Sequence, residues 1–226
     1  MALTLQNTKN DKETFINFIV YGESGVGKTS LAKQFPSEDV LVISAEDGLL
    51  SIKDHSVDYV NVKSLEDVKE VITTIVKPKH KYIFIDSITE LSQNHYLYLV
   101  SKYQKIAKEK DKELAVYNQI LWKDFGDDFS VVFKELRRLK KTVFALALEK
   151  EKENAIGQKI FMPDIYGKTA ERIIAWFDEC FRMFIKDDKR VFLTDKTEKS
   201  WAKDRSDKLE QIMIADAYKA FNIIIK

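Results

Sequence analysis

Residues 22–29, Gly-Glu-Ser-Gly-Val-Gly-Lys-Thr, follow the pattern G-x-x-x-x-G-K-[ST], and this stretch restricts the chain more than any other. Successive backbone N–H groups in such a loop converge into a nest for an anion. Gly22, Gly25 and Gly27 let the backbone approach phosphate oxygens with no Cβ in the way. The pattern also demands its surroundings, a strand running in and a helix running out. Phe15 to Tyr21 is an almost wholly apolar run that reads as a buried strand. Ser30 to Phe35 reads as the helix, whose dipole favours phosphate at its N-terminus. Glu23, Ser24, Val26 and Ser30 complete the stretch expected to touch phosphates. Lys28 is expected to reach the β and γ phosphates, and the Thr29 hydroxyl to complete a Mg²⁺ shell. The expected ligand is therefore a nucleoside triphosphate with its Mg²⁺.

The chain has 226 residues, 45% hydrophobic and 32% charged, with a formal net charge of +1. That length and balance fit a soluble globular domain with a sizeable core and argue against wholesale disorder. A near-neutral charge neither demands nor excludes nucleic acid, so a DNA site must be a local basic patch or a channel between subunits. Cys180 is the single cysteine, so no internal disulfide can form, and its neighbours suggest a buried, inert thiol. His55, His80 and His95 lack metal-ligand spacing. No apolar run reaches the length of a membrane span, and the polar N-terminus lacks a signal-peptide core. The expectation is a cytoplasmic protein with no membrane partner.

Met1 to Glu13 reads as a flexible polar arm, and 14–226 as one domain. After the loop, Asp39 to Ala45 reads as a second buried strand and Tyr59 to Val62 as a short third. Ser64 is the expected N-cap of a helix, with Asp67 three residues on. Leu65, Val68, Val71, Ile72 and Ile75 then follow at helical spacing. Lys81 to Asp86 reads as a strand and Ile88 to Lys108 as a long helix. Phe129, Val132, Phe133, Leu136 and Leu139 mark another helix, capped near Asp127. Thr142 to Leu148 is a further strand. Glu179 to Ile185 and Arg190 to Thr194 flank a turn at 186–189 and read as a hairpin. A helix is expected near Asp207 to Ala220. Strands with two-sided apolar character alternating with amphipathic helices predict an α/β fold with a mainly parallel sheet.

Two acidic positions extend the site. Asp86 ends an apolar strand, where ligands of open α/β sheets bind, and is the expected second Mg²⁺ residue with Thr29. Glu46 follows the second strand at the same sheet edge and is the candidate base or water-orienting group; Asp47 is the neighbouring candidate.

This order of parts, phosphate loop, strand with Ala45-Glu46, strand with Asp86-Ser87, resembles the RecA-fold ATPases. The resemblance implies a RecA-like core in which Glu46 polarises the attacking water and Asp86 assists Mg²⁺. Lys203-Asp204-Arg205 resembles the Lys-x-Arg motif of hexameric RecA-fold helicases and their relatives. By that likeness Lys203 and Arg205 reach a neighbour's γ-phosphate, so the chain is expected to form a homo-oligomer with ATP sites between subunits. Glu149 stands where RecA-type recombinases carry a polar sensor of the nucleotide, often Gln.

Within that superfamily the chain looks most like small phage nucleotide-binding proteins of RecA fold, some of which act as single-strand annealing proteins. The implied partner is single-stranded DNA, bound without sequence preference, and the implied activity is annealing or recombination with slow ATP turnover, in the host cytoplasm if the chain is phage-encoded. A single-strand DNA-binding protein is a further partner implied by the family alone. The loop after the sensor strand, Lys150 to Phe161, is one candidate DNA contact, through Lys150, Lys152, Lys159 and Phe161. A second is the lysine-rich stretch at 102–112, where interleaved acidic residues equally suit a solvated helix end. Two alternatives stand beside this reading: a helicase-like or packaging-type DNA motor or loader, and a nucleotide-gated interaction protein with little catalysis.

Overall fold

A computed structural model of the chain describes residues 15–46, 48–153, 157–167 and 169–226. The expected N-terminal arm and Asp47 lie outside the described residues. Among them the sheet strands are β1 (Asn17–Gly22), β2 (Val40–Ser44), β3 (Asp58–Asn61), β4 (Tyr82–Asp86), β5 (Thr142–Glu153), β6 (Lys159–Pro163), β7 (Glu179–Lys186), β8 (Lys189–Leu193) and β9 (Ile212–Ile214). They are ordered β3-β2-β4-β5-β1-β7-β8-β9, with β6 paired to the far end of β5. From β3 across to β7 every pairing is parallel, while β6, β8 and β9 join antiparallel. β5 thus separates β1 from β4, and the fold is RecA-like. The carboxyl ends of β1, β2 and β4 share one edge with the point where β5 leaves the sheet, so the segments following β1, β2 and β4 gather there.

Both faces of the sheet are covered, which is why β1, β2 and β4 are buried along their whole length. One face carries Ile19, Tyr21, Ile43, Ile83 and Ile85. It packs under α1 (Leu65–Glu70), α2 (Ile88–Glu109) and α3 (Asn118–Arg138) through Val68, Leu91, Leu99, Phe125 and Phe129. Ser64 caps α1 in the expected capping box: its hydroxyl accepts from the Asp67 N–H, and the Asp67 carboxylate accepts from the Ser64 N–H.

The other face holds a row of phenylalanines running across five adjacent strands. Phe84 stacks on Phe144 with centroids 4.7 Å apart, and Phe144 on Phe18 at 4.5 Å. Phe18 meets Phe181 edge-on, and Phe181 meets Phe192. Phe35, just beyond the phosphate loop, sits on Tyr82, Phe84 and Phe144. Each such pair contributes about 0.5–1.5 kcal/mol beyond its burial. Val26, Leu31 and Ala32 belong to this core as well, so the loop is anchored to the sheet on both sides. α5 (Ala217–Ile225) closes this layer through Ala217, Ala220 and Phe221.

Four expectations are corrected. The segment leaving the loop is a six-residue 3-10 helix, Thr29–Gln34, rather than an α-helix. Pro36 forces the preceding Phe35 into extended backbone (φ −110°, ψ 154°), which ends the helix after two turns. α3 begins at Asn118, well before Asp127, because Leu121 and Phe125 continue the buried stripe of Phe129, Val132 and Leu136 through Gly126. β5 runs on to Glu153 and turns back as β6, so the stretch read as a loop from Lys150 is a β-ribbon.

The C-terminal helix starts only at Ala217, with Asp216 as its N-cap. Upstream, the Asp204 carboxylate accepts from the N–H groups of Ser206, Asp207, Lys208 and Leu209 and winds that segment into turns. Ile212–Ile214 then pairs with β8 as an edge strand. The expected terminal hairpin is present: Lys186 faces Lys189, and Asp187 and Asp188 both take positive φ (50° and 57°), as a two-residue hairpin turn requires. No helix among the described residues is long and apolar enough to cross a membrane.

Candidate functional site

The loop leaves β1 at Gly22, which β7 approaches so closely that only glycine fits. A Cβ there would stand 2.2 Å from the Met183 carbonyl oxygen. Lys28 turns back over the loop, and its ammonium donates to the carbonyls of Gly22 (2.9 Å) and Glu23 (2.8 Å). Burial lowers the Lys28 pKa, and the carboxylates of Asp86, Glu46 and Glu149 partly restore it. Three acidic groups, at the ends of β2 and β4 and within β5, therefore act on one lysine. With only a 3-10 turn behind the loop, the helix dipole adds less than expected, and anion binding rests on the loop N–H groups and Lys28.

The Thr29 hydroxyl donates to the Asp86 carboxylate at 2.5 Å, although 57 residues separate the two. Burial raises the Asp86 pKa, and the Thr29 hydrogen bond opposes that shift. A hydroxyl and a buried carboxylate, both hard oxygen donors, suit Mg²⁺, which keeps most of its waters and takes one or two protein ligands beside substrate phosphates. Thr29 and Asp86 would hold it. Glu46 follows β2, and its carboxylate accepts from the Ser87 hydroxyl at 2.5 Å. Its backbone carbonyl accepts from the Ser44 hydroxyl. Ser87 also accepts from the Glu90 N–H and so caps α2. One serine thus ties the helix start to the candidate base. A cleft of about 270 Å³ is lined by Gly25, Lys28, Thr29, Glu46, Asp86 and Arg190.

The remaining candidates fall in different places. Glu149 lies beside the loop, but Arg182 of β7 holds both its oxygens (2.9 and 3.2 Å). Its carboxylate therefore acts on Lys28 through charge. Phe161 is not an open stacking platform. The Arg182 guanidinium covers one face at 3.7 Å from the centroid. The Phe161 backbone is pinned to Lys199 and Trp201 (2.8 and 3.0 Å). Lys150 donates to the Ile165 carbonyl (2.6 Å) and pairs with Asp164, and Lys159 pairs with Glu151. In the β5–β6 register Lys150 and Lys152 share one face of the ribbon, and Lys159 and Phe161 the other.

Lys203 and Arg205 lie at the opposite end of the sheet. Lys203 pairs backbone to backbone with Cys180 near the start of β7, and its ammonium donates to the carbonyls of Ile174 and Phe177. These carbonyls end α4 (Thr169–Trp176). Arg205 pairs with Asp178, whose N–H donates to the Asn17 carbonyl. Asn17 and Gly22 bound β1, about 17 Å apart at the usual rise. Neither cation can serve the phosphate loop of its own chain.

Sequence reasoning missed Arg182 and Arg190. Both sit in the hairpin that it located, but only the register shows that the hairpin's turn end stands beside the loop.

The chain is similar in fold to a KaiC-like protein of the hyperthermophilic archaeon Pyrococcus horikoshii OT3, at 14% identity over 81% of this chain and 79% of that one, with a TM-score of 0.47. No curated protein matches it. Residues 14–206 match the AAA domain, a span that runs from the strand before the phosphate loop past Arg205. The chain belongs to the AAA domain family of P-loop ATPases.

Proposed function

We propose that this protein is an Mg-ATP-hydrolysing RecA-like protein that binds single-stranded DNA and promotes annealing or recombination as a homo-oligomer. The observation that carries the hydrolytic part is the meeting of Lys28, Thr29, Asp86 and Glu46 in one cleft. Glu46 takes a proton from water, the water oxygen attacks the γ-phosphorus, and ADP leaves with the bridging oxygen. Lys28 and the loop N–H groups hold the phosphates in line. Thr29 and Asp86 would hold Mg²⁺, which would supply neutralisation of phosphate charge.

Support for the DNA part comes from the ribbon. β5 runs unbroken from beside the phosphate loop, where Glu149 faces Lys28, into the ribbon bearing Lys150, Lys152 and Lys159. A contact on the ribbon and a nucleotide on the loop would bias the same strand, which is how the two events would be linked. Arg205, exposed at the far end of the sheet and held there by Asp178, is the cation placed to meet another copy's phosphates, because Lys203 is engaged by α4.

Turnover at low salt, with and without single-stranded DNA, tests this. Stimulation by DNA that falls with added salt and disappears in Lys28→Ala supports the reading. Arg205→Ala is expected to lower turnover at least tenfold with ATP binding kept. Turnover indifferent to DNA would favour the nucleotide-gated interaction protein instead, and directional unwinding the motor.

A further inference from the structure

β8 pairs with β7 in a register fixed by the two-residue turn at Asp187 and Asp188, which sets Arg190 opposite Ile185. Its carbonyl accepts from the Ala215 N–H at 2.9 Å, so the Arg190 backbone is held from both sides. Strand alternation puts Arg190 on the same face as Phe192. Phe192 is fully buried in the core that also contains Val26 and Leu31, on either side of the loop's Lys28. Arg190 is the next residue up that face and emerges at the sheet edge that carries the loop.

There its guanidinium lies across Gly27. A Cβ built on Gly27 would stand 3.0 Å from both Cζ and Nε. Gly27 also has φ +103°, a backbone that side-chain-bearing residues rarely adopt, so the close approach of Arg190 meets a position that stays glycine. The side chain lines the same cleft as Lys28, Thr29, Glu46 and Asp86. Arg137, Arg138, Arg182 and Arg205 each face a carboxylate. Among the described residues the Arg190 guanidinium has no ion pair and no hydrogen bond. A permanently charged, planar fork without a counter-ion beside a phosphate loop is matched to phosphate oxygens.

We infer that Arg190 is a nucleotide-binding residue acting in cis, donating to phosphate oxygens of the nucleotide held by its own chain. This rests on the ATP reading of the cleft and adds a ligand that no loop pattern contains. It also separates two roles: Arg190 gives each chain its own cationic contact, and Arg205 is left for contacts between chains.

The test measures binding of Mg-ATP and of inorganic triphosphate to the full chain, its Arg190→Gln and Arg190→Lys variants, and Lys28→Ala. Arg190→Gln is expected to weaken both probes by about tenfold, since the lost contact is to phosphate and not to the base. Arg190→Lys should recover part of that, keeping the charge but losing the fork. An unaltered chain that binds neither probe overturns the phosphate-loop reading and this assignment together. An unaltered chain that binds both, with Lys28→Ala impaired and Arg190→Gln unchanged, overturns the Arg190 assignment alone. Weakening of ATP with no effect on triphosphate also overturns it, by moving Arg190 to the base.

Discussion

Gly22 shows how one atom decides whether the loop can exist. Its backbone could suit other residues, but the Met183 carbonyl of the neighbouring strand occupies the space of a Cβ. Backbone, unlike a flexible side chain, cannot yield without shifting β7 against β1, two strands paired from Phe18↔Glu179 to Tyr21↔Arg182. Gly22→Ala is therefore expected to destabilise by about 3 kcal/mol through overpacking. It should also weaken nucleotide binding, because Lys28 bonds the carbonyl of this residue. Urea unfolding and an ATP titration read the two effects. An alanine variant with unchanged midpoint would show that β7 gives way freely. The loop motif was legible from residue spacing, and so were Asp86 and Glu46 from their places at strand ends. Arg190 was not: its significance depends on a register 163 residues away from Gly27 in the chain, which no local pattern encodes.

At the scale of elements, the Glu149–Arg182 pair arches over the end of β1 to join β5 to β7. The Glu149 side chain is 7% exposed and that of Arg182 16%, and Arg182 also donates to Ser200 and stacks on Phe161. Removing one partner leaves the other charge buried. Glu149→Ala is expected to cost about 3 kcal/mol, while the double variant Glu149→Met/Arg182→Met should regain most of it. A double-mutant cycle by denaturant unfolding measures the coupling, and additive single effects would show that the two groups do not depend on each other. This pair also explains an element that periodicity did not reveal. Glu-Lys-Glu-Lys-Glu at 149–153 looks like a solvated loop, because alternating charges carry no apolar signal. It is strand because β6 pairs along it and Phe161 docks on Arg182. The same physics hid the start of α3, where Gly126 and two aspartates resemble a helix stop although Leu121 and Phe125 are buried. At the C-terminus, pairing of Ile212–Ile214 with β8 overrode the helical pattern read there. Elements buried on both faces were legible, as was the hairpin marked by its turn, whereas the β5–β6 ribbon and the edge strand at Ile212–Ile214, which only a partner strand decides, were not.

Across the whole molecule the sheet has two chemically distinct ends. The carboxyl end gathers Lys28, Thr29, Glu46, Asp86 and Arg190, and the opposite end gathers Asp178, Glu179, Lys203, Asp204 and Arg205. Glu179 is 1% exposed there, and its pKa is pushed up to about 8, first by burial and then by the Asp204 carboxylate. The Arg205 N–H donates to its carboxyl and opposes the shift. The folded state therefore binds a proton that the unfolded chain releases near its ordinary value of 4.5. Stability from this group is fully present below that value and is lost as pH rises toward 8. The slope within that window is up to about 1.4 kcal/mol per pH unit. Glu179→Gln keeps a neutral acceptor for the Arg205 N–H and removes the titration. The variant should match the parent at pH 5 and exceed it by about 2–4 kcal/mol at pH 8.5, as read from urea midpoints. Equal differences at both pH values would mean that Glu179 is ionised throughout, its charge held by Lys203 and Arg205. A gain confined to high pH would instead show that Glu179 is protonated in the folded chain at pH 5 and that its ionisation costs stability as pH rises toward 8.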